Sequence, residues 1–199
     1  MPKKIFLILS VLFVSRAAFA QSAADSVYNK YLDFNLARLQ GEQDRVLELG
    51  KEIIPNADKL PEKARINFFF AAGKMYEDND QPGKAFFYYQ KVVAAVPNYY
   101  VVHRALGYLY LDDVRVIEKQ LNAAQTDKAL NDKLAASYEK AVRKTLPHLE
   151  KAQACDPSDE TLTIIKLLYK NIKDTNGLNS LDTRLKTLSQ NCTDVLDDH

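Results

Sequence analysis

Residues 66–97 read INFFFAAGKMYEDNDQPGKAFFYYQKVVAAVP, and this stretch decides the fold. Its apolar residues recur three and four positions apart, the period of a helix with one buried face. Phe69, Ala72, Gly73 and Tyr76 lie along a first helix, and Ala85, Tyr89 and Val92 lie along a second. Between them, Glu77-Asp78-Asn79-Asp80 leads into Pro82-Gly83. A proline suits the first turn of a new helix, because its missing N–H would have no partner there. Pro97 ends the second helix. Gly73 and Ala85 are small where two helices cross closely, and Phe69, Tyr76 and Tyr89 are large enough to fill the gaps between layers.

The pattern returns 34 residues further on, where Leu106-Gly107 repeats Ala72-Gly73 and Tyr110 repeats Tyr76. A helix–turn–helix unit at this period resembles the tetratricopeptide repeat. Weaker copies flank it. Phe34, Leu47, Gly50 and Pro55 fit a degenerate first unit, Ala152, Asp156 and Pro157 close another second helix, and Leu162 to Tyr169 begin one more pair. Pro97 and Pro157 stand 60 residues apart, which leaves about 26 residues beyond one period. Tyr110, Val114, Ile117, Leu121 and Ala124 keep helical spacing outward, and Leu130, Leu134, Tyr138 and Ala141 keep it on the return. The excess therefore reads as two helices lengthened into a projecting hairpin over about 112–140, turned near Ala124 to Asp127. The expected fold is all-α, an α-solenoid of about four TPR-like helix-turn-helix pairs with one elongated hairpin insertion. The expected helices are 23–39, 43–54, 62–78, 83–95, 99–123, 127–154, 158–172 and 178–190, and Pro147 inside the sixth predicts a kink.

Composition agrees with helices. Of 199 residues only 6 are Gly and 7 are Pro, too few for the many turns of a sheet-rich fold. Apolar residues make 47% and charged residues 27%, which excludes a disordered or polytopic membrane chain. The N-terminus reads as an address. Lys3 and Lys4 precede the apolar run Ile5 to Val14, and Ala18-Phe19-Ala20 offers a cleavage site. Residues 1–20 are thus expected to be a signal peptide, cut after Ala20, and the protein periplasmic or secreted. Its loss removes Lys3, Lys4 and Arg16, so the 27 basic residues fall to 24 against 26 acidic. No membrane span remains after that cut, and nucleic acid is not an expected partner. Residues 21–190 form the helical domain, and 191–199 read as a flexible tail. Cys155 and Cys192 are two free thiols or one disulfide on the sequence alone.

No catalytic constellation is legible, so neither an enzyme nor a cofactor or metal site is expected. His103, His148 and His199 have no second ligand at metal spacing and read as ordinary surface or interhelical residues. Glu77 to Asp80 fails the spacing of a calcium loop and reads as a polar turn whose Asp residues cap the next helix. Lys133, Lys140, Arg143, Lys144 and Lys151 alternate with Glu139 and Glu150, the signature of a solvated face. The richest lead is aromatic: Tyr88, Tyr89, Tyr99, Tyr100, Tyr108 and Tyr110 crowd into 23 positions. The resemblance implies that the first helix of each unit lines a concave groove for a peptide. Carried over, the groove residues are Asn67, Phe70, Lys74, Glu77 and Asp78 from one unit, and Val101, Arg104, Tyr108, Leu111 and Asp112 from the next. They lack the Lys/Asn pattern with which some members clamp a terminal carboxylate. The implied function is a non-enzymatic interaction scaffold of the cell envelope that binds a protein or peptide segment. The alternative is a structural subunit that assembles through the hairpin 112–140.

Overall fold

The computed structural model of the chain describes residues 24–196. The expected signal peptide, 1–20, lies outside the described residues, as do Asp197, Asp198 and His199. The described chain is all-helical and contains no strand. Helix α1 covers 24–40. It is followed by α2 (Gln43–Ile53), a 3-10 segment (Ile54–Lys59), α3 (Glu62–Asp78) and α4 (Pro82–Ala95). Then come α5 (Tyr100–Ala123), α6 (Lys128–Cys155), α7 (Asp159–Asn171), α8 (Thr175–Asn179) and α9 (Leu181–Leu188). None is long and apolar enough to cross a membrane.

The sequence places the long helices well, and two local departures have clear causes. Just after the expected helix 43–54, the chain tightens at Pro55 into the 3-10 segment. The helix expected over 178–190 is divided into α8 and α9 at Ser180. The Asp174 carboxylate accepts from the Gly177 N–H at 2.7 Å and so starts α8 early. The acidic turn also differs from expectation. Gln81, not an Asp, occupies the cap position of α4 and makes no side-chain cap. Asp80 is held at φ 53°, in the left-handed region that Asp tolerates better than most residues.

Close contacts explain the glycines. A Cβ on Gly73 would stand 2.5 Å from the Tyr89 ring of α4, and one on Gly107 would stand 2.6 Å from Leu149 of α6. Tyr89 and Leu149 are 60 residues apart, the same interval as Pro97 and Pro157. Ala85 and Thr145, and Val92 and Ala152, share that interval, and all four are 0% exposed. The inward face of α4 is therefore rebuilt in α6, and the extra residues fall between Tyr110 and Thr145. Pro147 sits inside α6 without ending it.

Two apolar cores result. Phe34, Ile53, Phe68, Tyr89 and Leu106 anchor the first, and Val114, Val142, Leu149, Ile165 and Leu181 anchor the second. Helix α5 serves both, with Tyr110 in one and Leu111 in the other. Lys151 is a correction to the solvated face expected for this stretch. It is buried, and its Nζ donates to the carbonyls of Leu188, at 3.1 Å, and of Asn191. A cation there satisfies carbonyls left open at the end of α9.

The C-terminal segment also departs from the expected flexible tail. Cys155 and Cys192 form a disulfide with their Cα atoms 5.6 Å apart. Beyond it the Thr193 N–H donates to Asn98 O at 2.9 Å, and the Tyr100 N–H donates to Thr193 O at 3.2 Å. Tyr99 and Thr193 thereby form an isolated parallel bridge. Asn67 Nδ2 then donates to Leu196 O at 3.4 Å, and Leu196 packs on the first core.

Candidate functional site

Helix α3 carries two stripes of side chains. Phe68, Ala72 and Tyr76 are buried against its neighbours. Asn67, Phe70, Ala71, Lys74 and Asp78, at helical spacing, line a cavity of about 680 Å³ instead. Tyr31, Asn35 and Arg38 of α1 face the same space, and Tyr99, Asp194 and Leu196 complete it. Tyr99 is 5% exposed and meets Phe70 edge to face, with ring centroids 5.2 Å apart. Together these rings form a fixed aromatic surface beside a set of polar groups.

The polar groups carry both signs. Lys74 is bonded to Asp78 one turn on, and that bond raises its ammonium above the usual lysine range. Arg38 donates to Asn35 Oδ1 at 3.1 Å and lies 5.8 Å from the centroid of Phe34. Burial pushes the Tyr99 phenol up to about 12, with Arg38 opposing the shift and Asp194 adding to it. Arg38 and Asp194 line the same cavity as Tyr99.

Of the ten groove residues expected from sequence, four meet in this cavity: Asn67, Phe70, Lys74 and Asp78. Glu77 turns to α4, where it accepts from the Tyr89 hydroxyl at 2.6 Å. The members from the second unit do not line the cavity, and Arg104 and Tyr108 are instead occupied by Asp156 and Thr161. Arg104 Nη2 donates to Asp156 O at 2.8 Å, and Nη1 pairs with the Asp156 carboxylate at 2.7 Å. The Tyr108 and Thr161 hydroxyls are 3.1 Å apart. Val101 packs on the first core, Leu111 belongs to the second, and Asp112 pairs with Arg115 at 3.0 Å. Sequence reasoning missed Asn35, Arg38, Asp194 and Leu196, and it had Tyr99 only as a member of the tyrosine-rich stretch. The one available signal was Val195-Leu196, an apolar pair in an otherwise acidic tail.

Two other places gather polar and titratable groups. A second cavity of about 540 Å³ lies beside Pro147, and its charges satisfy one another. Arg184 bonds both oxygens of the buried Glu150, at 3.0 and 2.8 Å, and Arg143 reaches Asp174 at 3.0 Å. His103 and His148 face each other between α5 and α6, with ring centroids 4.9 Å apart. His103 Nε2 is 2.9 Å from Pro97 O, a group that only accepts, so Nε2 carries the proton. The Nδ1 atoms of both rings are buried without a partner among the described residues. No cluster of three or more His, Cys, Asp or Glu that could hold a metal ion occurs among the described residues.

No family model matches the chain, and no curated protein or solved structure matches it.

Proposed function

We propose that this chain is a non-enzymatic binding module of the cell envelope, a short tetratricopeptide-type array that holds an extended protein segment against α3. One observation carries the reading: the groove already holds an extended segment, Thr193 to Leu196, by backbone bonds and an aliphatic side chain. The repeated pairs Gly73 with Tyr89 and Gly107 with Leu149 support the array. The Cys155–Cys192 disulfide and the N-terminal leader pattern support an exported location. The site is smaller than the family pattern implies, comprising Asn67, Phe70, Lys74 and Asp78 with Arg38 and Tyr99. An aromatic floor, mixed charges and an Asn67 amide that already holds a backbone carbonyl suit a peptide, which offers apolar and polar groups alternately.

The test is selection of displayed random peptides on the oxidised chain. Truncating a central aromatic anchor weakens binding by about tenfold or more. Selected peptides should therefore lose that much affinity for Phe70→Ala, with Asn67→Ala weaker by less. Peptides that bind Phe70→Ala and the parent equally would place the binding surface elsewhere. A second reading, assembly through the hairpin 112–140, is favoured by Val116 and Leu130, which are 54% and 45% exposed there. Sedimentation decides it: loss of oligomers in Val116→Asp with Leu130→Asp supports assembly, and an unchanged distribution rejects it.

A further inference from the structure

We propose that Cys192 to Leu196 is a tethered self-ligand of the groove, released when the Cys155–Cys192 bond opens, and that its partner is an external segment of the same chemistry. This rests on the groove reading above. The required chemistry is read from the occupant. Its backbone runs parallel to Asn98–Tyr100, with Thr193 giving its N–H to Asn98 O and accepting from the Tyr100 N–H. These bonds use groups that every residue except proline owns, so another extended chain can replace them. Three positions later Leu196 packs on the first core, and Asn67 holds its carbonyl. Asp194 lies between these points and lines the same cavity as Arg38 and Lys74. Without the segment, the charged side chains that line the groove are Arg38, Lys74 and Asp78, a net positive set that favours an acidic ligand. The partner is thus an extended segment with an acidic residue after the paired position and an aliphatic residue two further on.

The tether explains why such a partner needs an opening step. The disulfide joins the last residue of α6 to the residue just before Thr193, and Lys151 grips the Asn191 carbonyl beside it. A segment held so closely competes at an effective concentration in the millimolar range or above. Cys192 is exposed, so a thiolate can reach it. A dithiol reductant supplies two electrons and two protons, leaves Cys155 and Cys192 as thiols, and is itself oxidised to a disulfide.

The probe is a fluorescein-labelled, C-terminally amidated octapeptide, Ser-Gln-Asn-Ser-Thr-Asp-Val-Leu, which copies residues 189–196 with serine in place of Cys192. Its anisotropy is titrated with the oxidised full chain, the chain in dithiothreitol, and Cys155→Ser with Cys192→Ser. Opening should tighten binding by about tenfold or more, because the segment then keeps only its backbone tether to α9 and its effective concentration falls. Adding Phe70→Ala to the opened chain should abolish it. Hydrogen exchange at the Tyr100 and Thr193 amides should be slow in the oxidised chain and fast once opened. Equal affinity for closed and opened chains, or fast exchange at both amides in the oxidised chain, overturns the self-ligand while leaving the groove reading in place. No binding to an opened chain whose amides have become fast overturns the groove reading, and this proposal with it.

Discussion

Gly73 is the residue on which the helix pairs turn most directly. The Tyr89 ring fills the space that a Cβ would take, and Glu77 fixes the Tyr89 hydroxyl from the other end, so the ring has little room to retreat. Gly73→Ala should therefore destabilise by about 1–3 kcal/mol, the usual range for overpacking. Gly83 lies in the first turn of α4 with nothing within 4 Å of a built Cβ. Gly83→Ala should stabilise by about 0.4–1 kcal/mol by restricting the unfolded chain. Urea midpoints of the two variants, moving in opposite directions, check both. The histidine pair makes a second prediction at this scale. Burial, helped by the neighbouring His103 and Lys144, holds the His148 imidazole down to about 4, and burial also lowers His103. Both rings are neutral when folded, whereas the unfolded rings protonate near pH 6.5. Proton uptake then favours the unfolded state, so this stabilisation is complete above about pH 6.5 and is lost as pH falls toward 4. Its size for His148 is about 2–3 kcal/mol. Stability curves at about pH 7 and about pH 4.5 should diverge less for His148→Gln than for the parent.

The hairpin of α5 and α6 reads differently along its length. Near its base, Leu106, Gly107, Leu149 and Ala152 are held by helices on either side, whereas its outer turns beyond Val114 and Tyr138 have mainly each other. Amides around 117–133 should thus exchange through local opening well before those of Leu106 and Leu149, as mass-spectrometric hydrogen exchange will measure. The elements themselves were legible because their apolar residues keep a helical period, and because small residues stand where a neighbour crosses. Thr145 shows how far that legibility reached. A polar residue at the place of Ala85 looks like a failed match, yet its hydroxyl is satisfied within its own helix by Ala141 O at 2.9 Å and its methyl packs. The site was half legible. Asn67, Phe70, Lys74 and Asp78 follow from their register on α3. Arg104 and Tyr108 share that register, but Asp156 and Thr161 lie against them, and that contact depends on where α7 returns rather than on the residues of α5. The seating of residues 193–196 had almost no signature, since backbone pairing with Asn98 and Tyr100 uses atoms common to nearly all residue types.

At the scale of the whole molecule, the two cores meet along α5, and the segment after α9 returns from the far end to the junction of α4 and α5. An open row of helix pairs gives each unit contacts only with its neighbours, and such rows fray from their ends one unit at a time. Here the last described residues are sewn to the middle: Thr193 to Asn98 and Tyr100, and Leu196 to Asn67, with the disulfide as the knot. Peeling off α7, α8 and α9 therefore means breaking contacts made nearly a hundred residues upstream. The terminal helices cannot unravel on their own account. The described chain behaves mechanically as a closed loop, which resists a pull on residue 196 as one unit and, once the knot is cut, gives way from that side first.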